Sequence, residues 1–183
     1  MSKNHLFWLK NALILAFLVV FDQITKYIAK GQLKGQKGYT IIKNFISFKY
    51  LPGGNTGAAW GILSGRIILF IVFTIFALVV ISKFIYNIYN IYKINYSLNP
   101  NAKILDFLMV VLVAGAIGNL IDRIVNGYVI DFISFDFIKI PIFNMADCYI
   151  TVSCILLFII CIFKVDNDTF NSIFTFKKVS KDK

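Results

Sequence analysis

Three apolar stretches of this chain carry no charge: those between Arg66 and Lys83, between Asp106 and Asp122, and between Asp147 and Lys164, each about 15 or 16 residues long. A fourth apolar run, from about Leu6 to Ile28 around ALILAFLVVF, is interrupted only by Lys10, Asp22 and Lys26. Runs of this kind are expected as membrane-crossing helices. Composition agrees, since 58% of the residues are hydrophobic and 15% charged, too few polar groups to wet the surface of a soluble domain. The low charge content also excludes disorder. The first run begins like a signal peptide, but Asp22-Gln-Ile-Thr-Lys26 stands where a small-x-small cleavage site would be, so it reads as an uncleaved anchor.

Span length places the polar residues. Sixteen helical residues reach only ~24 Å, whereas the hydrocarbon core is ~30 Å thick. The helices therefore have to include their charged flanks, which draws Asp122 and Asp147 to the membrane boundary or just inside it, where an ionisable side chain is costly and points to function. Consecutive spans alternate in direction, so spans at about 6–28, 66–83, 103–122 and 146–164 deliver Asp22, Lys26, Asn55, Asp122, Arg123, Asp131, Asn144 and Asp147 to a single face. The opposite face receives the N-terminal tail, the Tyr/Asn/Lys-rich connector from Lys83 to Lys103 and the basic C-terminal tail. That face carries 10 of the 19 Lys and Arg residues, which barely favours placing the tails inside.

The expected fold is a single all-α membrane domain over 1–183, with four transmembrane helices and a small β-rich segment at the membrane interface. The β component comes from Ile46–Tyr50 and Ile133–Phe137, which alternate apolar with polar at period two and are followed by Pro52-Gly53-Gly54 and by Pro141. No internal repeat divides the chain.

Charge and reactive residues narrow the chemistry. The net charge of +10 is scattered between apolar runs, which favours anionic lipid head groups over nucleic acid as partner. Cys148, Cys154 and Cys161 form no C-x-x-C pair, and His5 in the leading tail is the single histidine. Neither a histidine-containing zinc site nor a Ser–His or Cys–His nucleophile system can be assembled from such a set. The expectation is accordingly no metal and no cofactor. All nine acidic residues are Asp, so any carboxylate chemistry lies among them.

Each polar cluster has a structural reading beside a functional one. Asp22 and Lys26, four apart, share one helix face and could be a boundary ion pair. Asn119, Asp122 and Arg123 repeat that geometry; the Arg fork could grip a substrate carbonyl or pair with Asp122. Asn144-Met-Ala-Asp147 has the form of a helix cap, with Asn at the N-cap and an acid three residues on. Asp131 is different, an acid in Tyr-Val-Ile-Asp-Phe-Ile with no adjacent base, whose burial would raise its pKa. Asp131 and Asp147 flank a connection of fifteen residues on one face. A dyad sharing one proton is feasible there, with one carboxyl activating water while the other protonates a carbonyl oxygen. Cys154 and Cys161 on one helix face read as packing.

Read in order, FDQITK (21–26), NTGAAWG (55–61), GNLIDR (118–123), VIDF (129–132) and FNMAD (143–147) resemble the bacterial lipoprotein signal peptidase family, signal peptidase II. The resemblance implies a metal-independent aspartyl endopeptidase of the inner membrane, which removes the signal peptide of a diacylglyceryl-modified prolipoprotein just before the lipidated cysteine. It implies Asp131 and Asp147 as the catalytic pair. Asn55, Asn119, Arg123 and Asn144 match substrate-positioning residues; Asp22, Lys26, Gly57 and Asp122 match supporting ones. It also implies an active site near the outer face, both termini in the cytoplasm, extracytoplasmic segments at about 30–62 and 123–145, and a monomer whose partners are prolipoproteins and membrane lipids. The chain departs from the family pattern at Leu51-Pro-Gly-Gly54 and at Ser153. The competing reading is a small membrane carrier or assembly protein that uses intramembrane Asp residues for proton relay or partner binding. That reading would call for a repeat, discontinuous helices or mid-span acids.

Overall fold

The computed structural model describes residues 3–57, 65–95 and 100–176; Ala58–Gly61 of the second motif and the basic tail at 177–183 lie outside them. Five helices and three strands run in the order α1 (Lys3–Leu33), β1 (Tyr39–Ile42), β2 (Ile46–Phe48), α2 (Ile67–Asn95), α3 (Pro100–Asn126), β3 (Ile133–Phe135), α4 (Met145–Phe163) and α5 (Asn167–Ile173). The first four long helices, α1 to α4, are long and apolar enough to cross a membrane. The all-α membrane bundle with a small sheet is therefore the observed architecture.

α3 is the central post, packed against α1, α2 and α4. Its most apolar window is 56% buried, against 0% for α2 and 11% for α4. The outer helices instead expose Phe17, Val72, Phe76, Phe158 and Ile162, side chains that only lipid solvates favourably. The core below the sheet is built from Phe7, Ile85, Ile88, Leu105, Met109 and Ile173.

Three features differ from the expectation. First, α2 does not stop at Lys83 but continues to Asn95. The Tyr/Asn/Lys-rich segment keeps Ile85 and Ile88 buried at a spacing of three, enough apolar face to hold it on the core. Second, α5 folds back under the bundle: the buried Asn87 amide donates to the carbonyls of Ile173 and Thr175 at 2.7 and 2.8 Å. Third, the two expected strands are shorter and pair with each other in one antiparallel sheet ordered β1-β2-β3, Phe48 opposite Ile133 and Ile46 opposite Phe135. β1 was not foreseen, because YTII is exposed throughout and shows no alternation.

Sheet pairing is what carries the polar segments over the helix ends. Beyond the regular strands it continues through Lys49 N to Phe132 O (2.9 Å) and Leu51 N to Asp131 O (3.3 Å), and Asn55 and Val129 exchange bonds at 2.9 and 2.8 Å. On its other side the same segment bonds Phe143. Residues 129–133 are thus a short rail held from both flanks. The Gly-rich approach has a direct cause here: Gly54 has φ +71, and a Cβ on it would lie 2.0 Å from the Tyr128 ring. Only glycine lets that turn rest on the ring.

Candidate active site

α1, α3, the 129–133 rail and the start of α4 converge on one buried polar web. Asp22, Lys26, Asn119, Asp122, Asp131 and Asn144 are all buried. On α1, Lys26 Nζ lies 2.9 Å from Asp22 Oδ2 and 3.1 Å from Asp122 Oδ2, and donates to Asn119 Oδ1 at 3.0 Å. A buried ammonium needs such a set of acceptors to offset its desolvation. Asp22 reaches further: its Oδ1 accepts from Ala146 N at 2.9 Å, tying α1 to the first turn of α4. The crossing depends on Gly118, where a Cβ would meet Asp22 Oδ2 at 2.5 Å. Asp122 is equally committed, accepting from Ile130 N at 3.0 Å and from Gln23 Nε2 at 3.3 Å.

From Asn119 the web passes to the other two acids. Asn119 Nδ2 donates to Asp147 Oδ1 at 2.7 Å. Asn144 caps α4, its Oδ1 accepting from Asp147 N at 3.0 Å while its own N donates to Asp147 Oδ2 at 3.2 Å. The capping reading and the functional reading therefore coexist in one residue pair. The same Asn144 turns its Nδ2 to Asp131 Oδ1 at 2.7 Å and to Asn119 Oδ1 at 3.1 Å. Asn55 Nδ2 completes the coverage of Asp131 at Oδ2, 2.9 Å. Asp131 and Asp147 thus share Asn144, and among the described residues their hydrogen-bond donors are amides rather than cations.

The electrostatics follow from that arrangement. Burial, and next the negative charge of Asp147, push Asp131 up to about 7; the Asn55 and Asn144 bonds and Lys26 pull the other way without overcoming them. Arg123 lies over the Phe70 ring, 5.0 Å from its centroid, and aims its guanidinium at the carbonyls of Asn119 (3.4 Å) and Gly57 (3.5 Å). It is not in an ion pair with Asp122, since that acid is engaged by Lys26.

A cavity of about 520 Å³ opens beside the web. Asn55, Gly57, Asn119, Arg123 and Asp147 make one wall, and Phe135, Pro141, Phe143 and Val152 an apolar one. Asp131 stands just behind, covered by Asn55. All ten residues singled out in the sequence meet at this web or the cavity. Residues missed there include Gln23, which joins Asp22, Asp122 and the Gly118 carbonyl. Phe70 beneath Arg123 was missed too, as were Thr151 and Val152 on the cavity face of α4. Gln23 was legible within FDQITK; the others carry no local signal.

Comparison with known proteins gives a consistent picture. A family model described as "Signal peptidase (SPase) II" matches residues 14–163. A protein named lipoprotein signal peptidase from Caldanaerobacter subterraneus subsp. tengcongensis is 39% identical over 153 residues, 82% of this chain and 94% of the relative. One of the same name from Lactobacillus johnsonii is 40% identical over 159 residues, 85% of this chain and 94% of the relative. Two solved bacterial membrane enzyme structures superpose with a TM-score of 0.67: one at 32% identity over 93% of this chain and 94% of its own, the other at 34% over 86% and 94%. The match covers every motif and reaches all four spanning helices, and the chain belongs to the signal peptidase II family, as a multi-pass inner-membrane peptidase.

Proposed function

We propose that this chain is a lipoprotein signal peptidase of the aspartic type, with Asp131 and Asp147 as its catalytic pair. The observation that carries the assignment is their contrast with the other two acids of the web. Asp22 and Asp122 contact Lys26, whereas Asp131 and Asp147 are held by amides and share Asn144. Two such carboxyls in a dry site hold one proton between them. With Asp131 pushed up to about 7 by burial and by the charge of Asp147, it is assigned the proton; Asp147, which lines the cavity, is the base.

In the cycle, Asp147 takes a proton from water as the water oxygen bonds the scissile carbonyl carbon, while Asp131 gives its proton to the carbonyl oxygen. The tetrahedral intermediate then breaks its C–N bond. Asp147 returns a proton to the leaving amine, Asp131 recovers one from the intermediate's hydroxyl, and the carbonyl reforms. For Asp131 to meet the substrate, the Asn55 amide over its Oδ2 turns aside. Arg123 and Asn119, on the cavity wall, position substrate backbone; Gly57 and the Asp22–Lys26–Asp122 group support the frame.

The substrate is a prolipoprotein carrying a diacylglyceryl group, cleaved just before the lipidated cysteine. Its signal helix lies in the bilayer, and the cavity's apolar wall at Phe135, Phe143 and Val152 suits such a lipid-borne ligand. The active site faces the outer side, both termini are cytoplasmic, and the enzyme works as a monomer. Incubating purified protein with a lipidated precursor tests the reading by gel shift: cleavage that persists in EDTA and phenanthroline supports it, and cleavage lost to chelation and restored by zinc refutes it. The rival dyad of Asp122 with Asp147 requires Asp122→Asn to abolish cleavage in folded protein while Asp131→Asn stays active.

A further inference from the structure

Residues 23–105 contain no acidic residue. The cations between α1 and α2 therefore have no carboxylate within their own segment. Across the sheet stands Asp136, and it is taken: Lys49 pairs with it, Ser47 Oγ donates at 2.9 Å, and these bonds hold its carboxyl below the usual range. Lys43 and Lys139, both exposed, have no ion-pair partner among the described residues. They flank one feature, the tip where the β1–β2 turn meets the end of β3, closed by Asp136 N donating to Phe45 O at 3.0 Å. At that tip the Phe45 and Phe137 rings stack with centroids 4.8 Å apart, and both rings stay outside the core, 46% and 54% exposed, beside exposed Ile42 and Ile138.

From this arrangement we infer that the tip is a docking surface for anionic phospholipid head groups. Phe45 and Phe137 enter at the glycerol level, where aromatic rings concentrate, and Lys43 and Lys139 meet the phosphodiesters around them. An acidic protein partner would match the lysines but would leave the stacked rings and isoleucines unexplained. Topology adds a second argument. On the side assigned above as outer, nine of 19 Lys and Arg residues are kept against the usual inward bias of such residues; Lys26, Lys49 and Arg123 are engaged within the fold, and an anionic surface gives the unpaired Lys43 and Lys139 a purpose. The inference rests on the proposed function only for which leaflet is contacted.

The test uses the full chain in nanodiscs of phosphatidylcholine alone or mixed with phosphatidylglycerol. Native mass spectrometry counts retained lipid, with cleavage of a lipidated precursor read in parallel. Wild type should retain phosphatidylglycerol in preference. Each of Lys43→Gln and Lys139→Gln should lower that preference roughly fivefold, and the pair about 30-fold. High salt should weaken it in wild type. Equal retention of the two lipids by wild type, or no change in the double variant, overturns the proposal. So does a double variant whose only defect, in phosphatidylcholine discs, is a raised KM for precursors with acidic residues after the cleavage site; the surface would then belong to the substrate chain. A lipid preference that follows the lysines in protein that cleaves nothing would uphold this inference while refuting the peptidase reading.

Discussion

Two lysine–carboxylate clusters join α1 to α3, one at each end of the bundle, and they differ in what lies beyond them. At the tail end Lys10 Nζ meets the buried Asp106 at 2.9 Å, and Asn11 Nδ2 donates to the same acid at 2.8 Å. At the motif end Lys26 binds Asp22 and Asp122, and the asparagine it touches, Asn119, passes a bond on to Asp147. The ingredients are the same. The first cluster closes on itself, with one acid satisfied by its own cation; the second leaves two acids to amides alone. A buried carboxylate with a cation is framework, and one held by neutral donors retains a proton affinity useful near neutral pH.

The largest test of this contrast is to remove one carboxyl from each set. On the proposed assignment the pair acts as a unit, so Asp131→Asn and Asp147→Asn should each lower turnover at least ~10³-fold, with the double variant hardly worse. Asp106→Asn should leave cleavage near wild type in protein that still folds. If cleavage by Asp131→Asn stays within about tenfold of wild type, as a non-catalytic acid would allow, the contrast fails.

Next comes the cation. Lys26→Met strands two buried acids and should cost about 3 kcal/mol or more of stability, seen as a lower melting temperature in detergent. A Lys26→Met protein as stable as wild type would mean that Asp22 and Asp122 do not depend on the ammonium.

Third is pH. The proposed cycle needs a proton on Asp131, so cleavage should fall as pH rises through about 7, by roughly tenfold per unit beyond it. Stability has the same sign: an acid whose folded pKa is raised loses its stabilising protonation as pH climbs from the unfolded value of 3.8 to about 7. Asp131→Asn should shrink that decline in melting temperature. A pH-independent wild type across this window would contradict the assignment of the proton. Smallest of all, Lys10→Met should cost less than Lys26→Met, because it strands one buried acid rather than two and Asn11 still donates to that acid. A loss as large as that of Lys26→Met would erase the difference between the two ends.

The spans were legible because uncharged runs of fixed length leave few alternatives, and Asp131 because an acid among Val, Ile and Phe has no local partner. The NMAD cap was legible as well, since capping is set within one turn. What could not be read was the wiring: the bonds of Asp131 to Asn55, Asp147 to Asn119 and Ala146 to Asp22 join residues far apart in sequence. Local periodicity carries no trace of such pairings. The continuation of α2 and the docking of α5 escaped for a related reason, because the Asn87 side chain that anchors α5 looks in sequence like any connector asparagine.

The shared use of Asn144 ties the proposed chemistry to the folding of a single turn. Its Oδ1 starts α4, and its Nδ2 holds Asp131. When the first turn of α4 frays, the cap bond, the seat of Asp147 and one donor to Asp131 go together. Helix ends open at far lower free energy than whole domains, so heat should silence this enzyme while its helices still register as intact. Its useful temperature range is then governed by the grip on one asparagine rather than by the depth of its lipid-facing core.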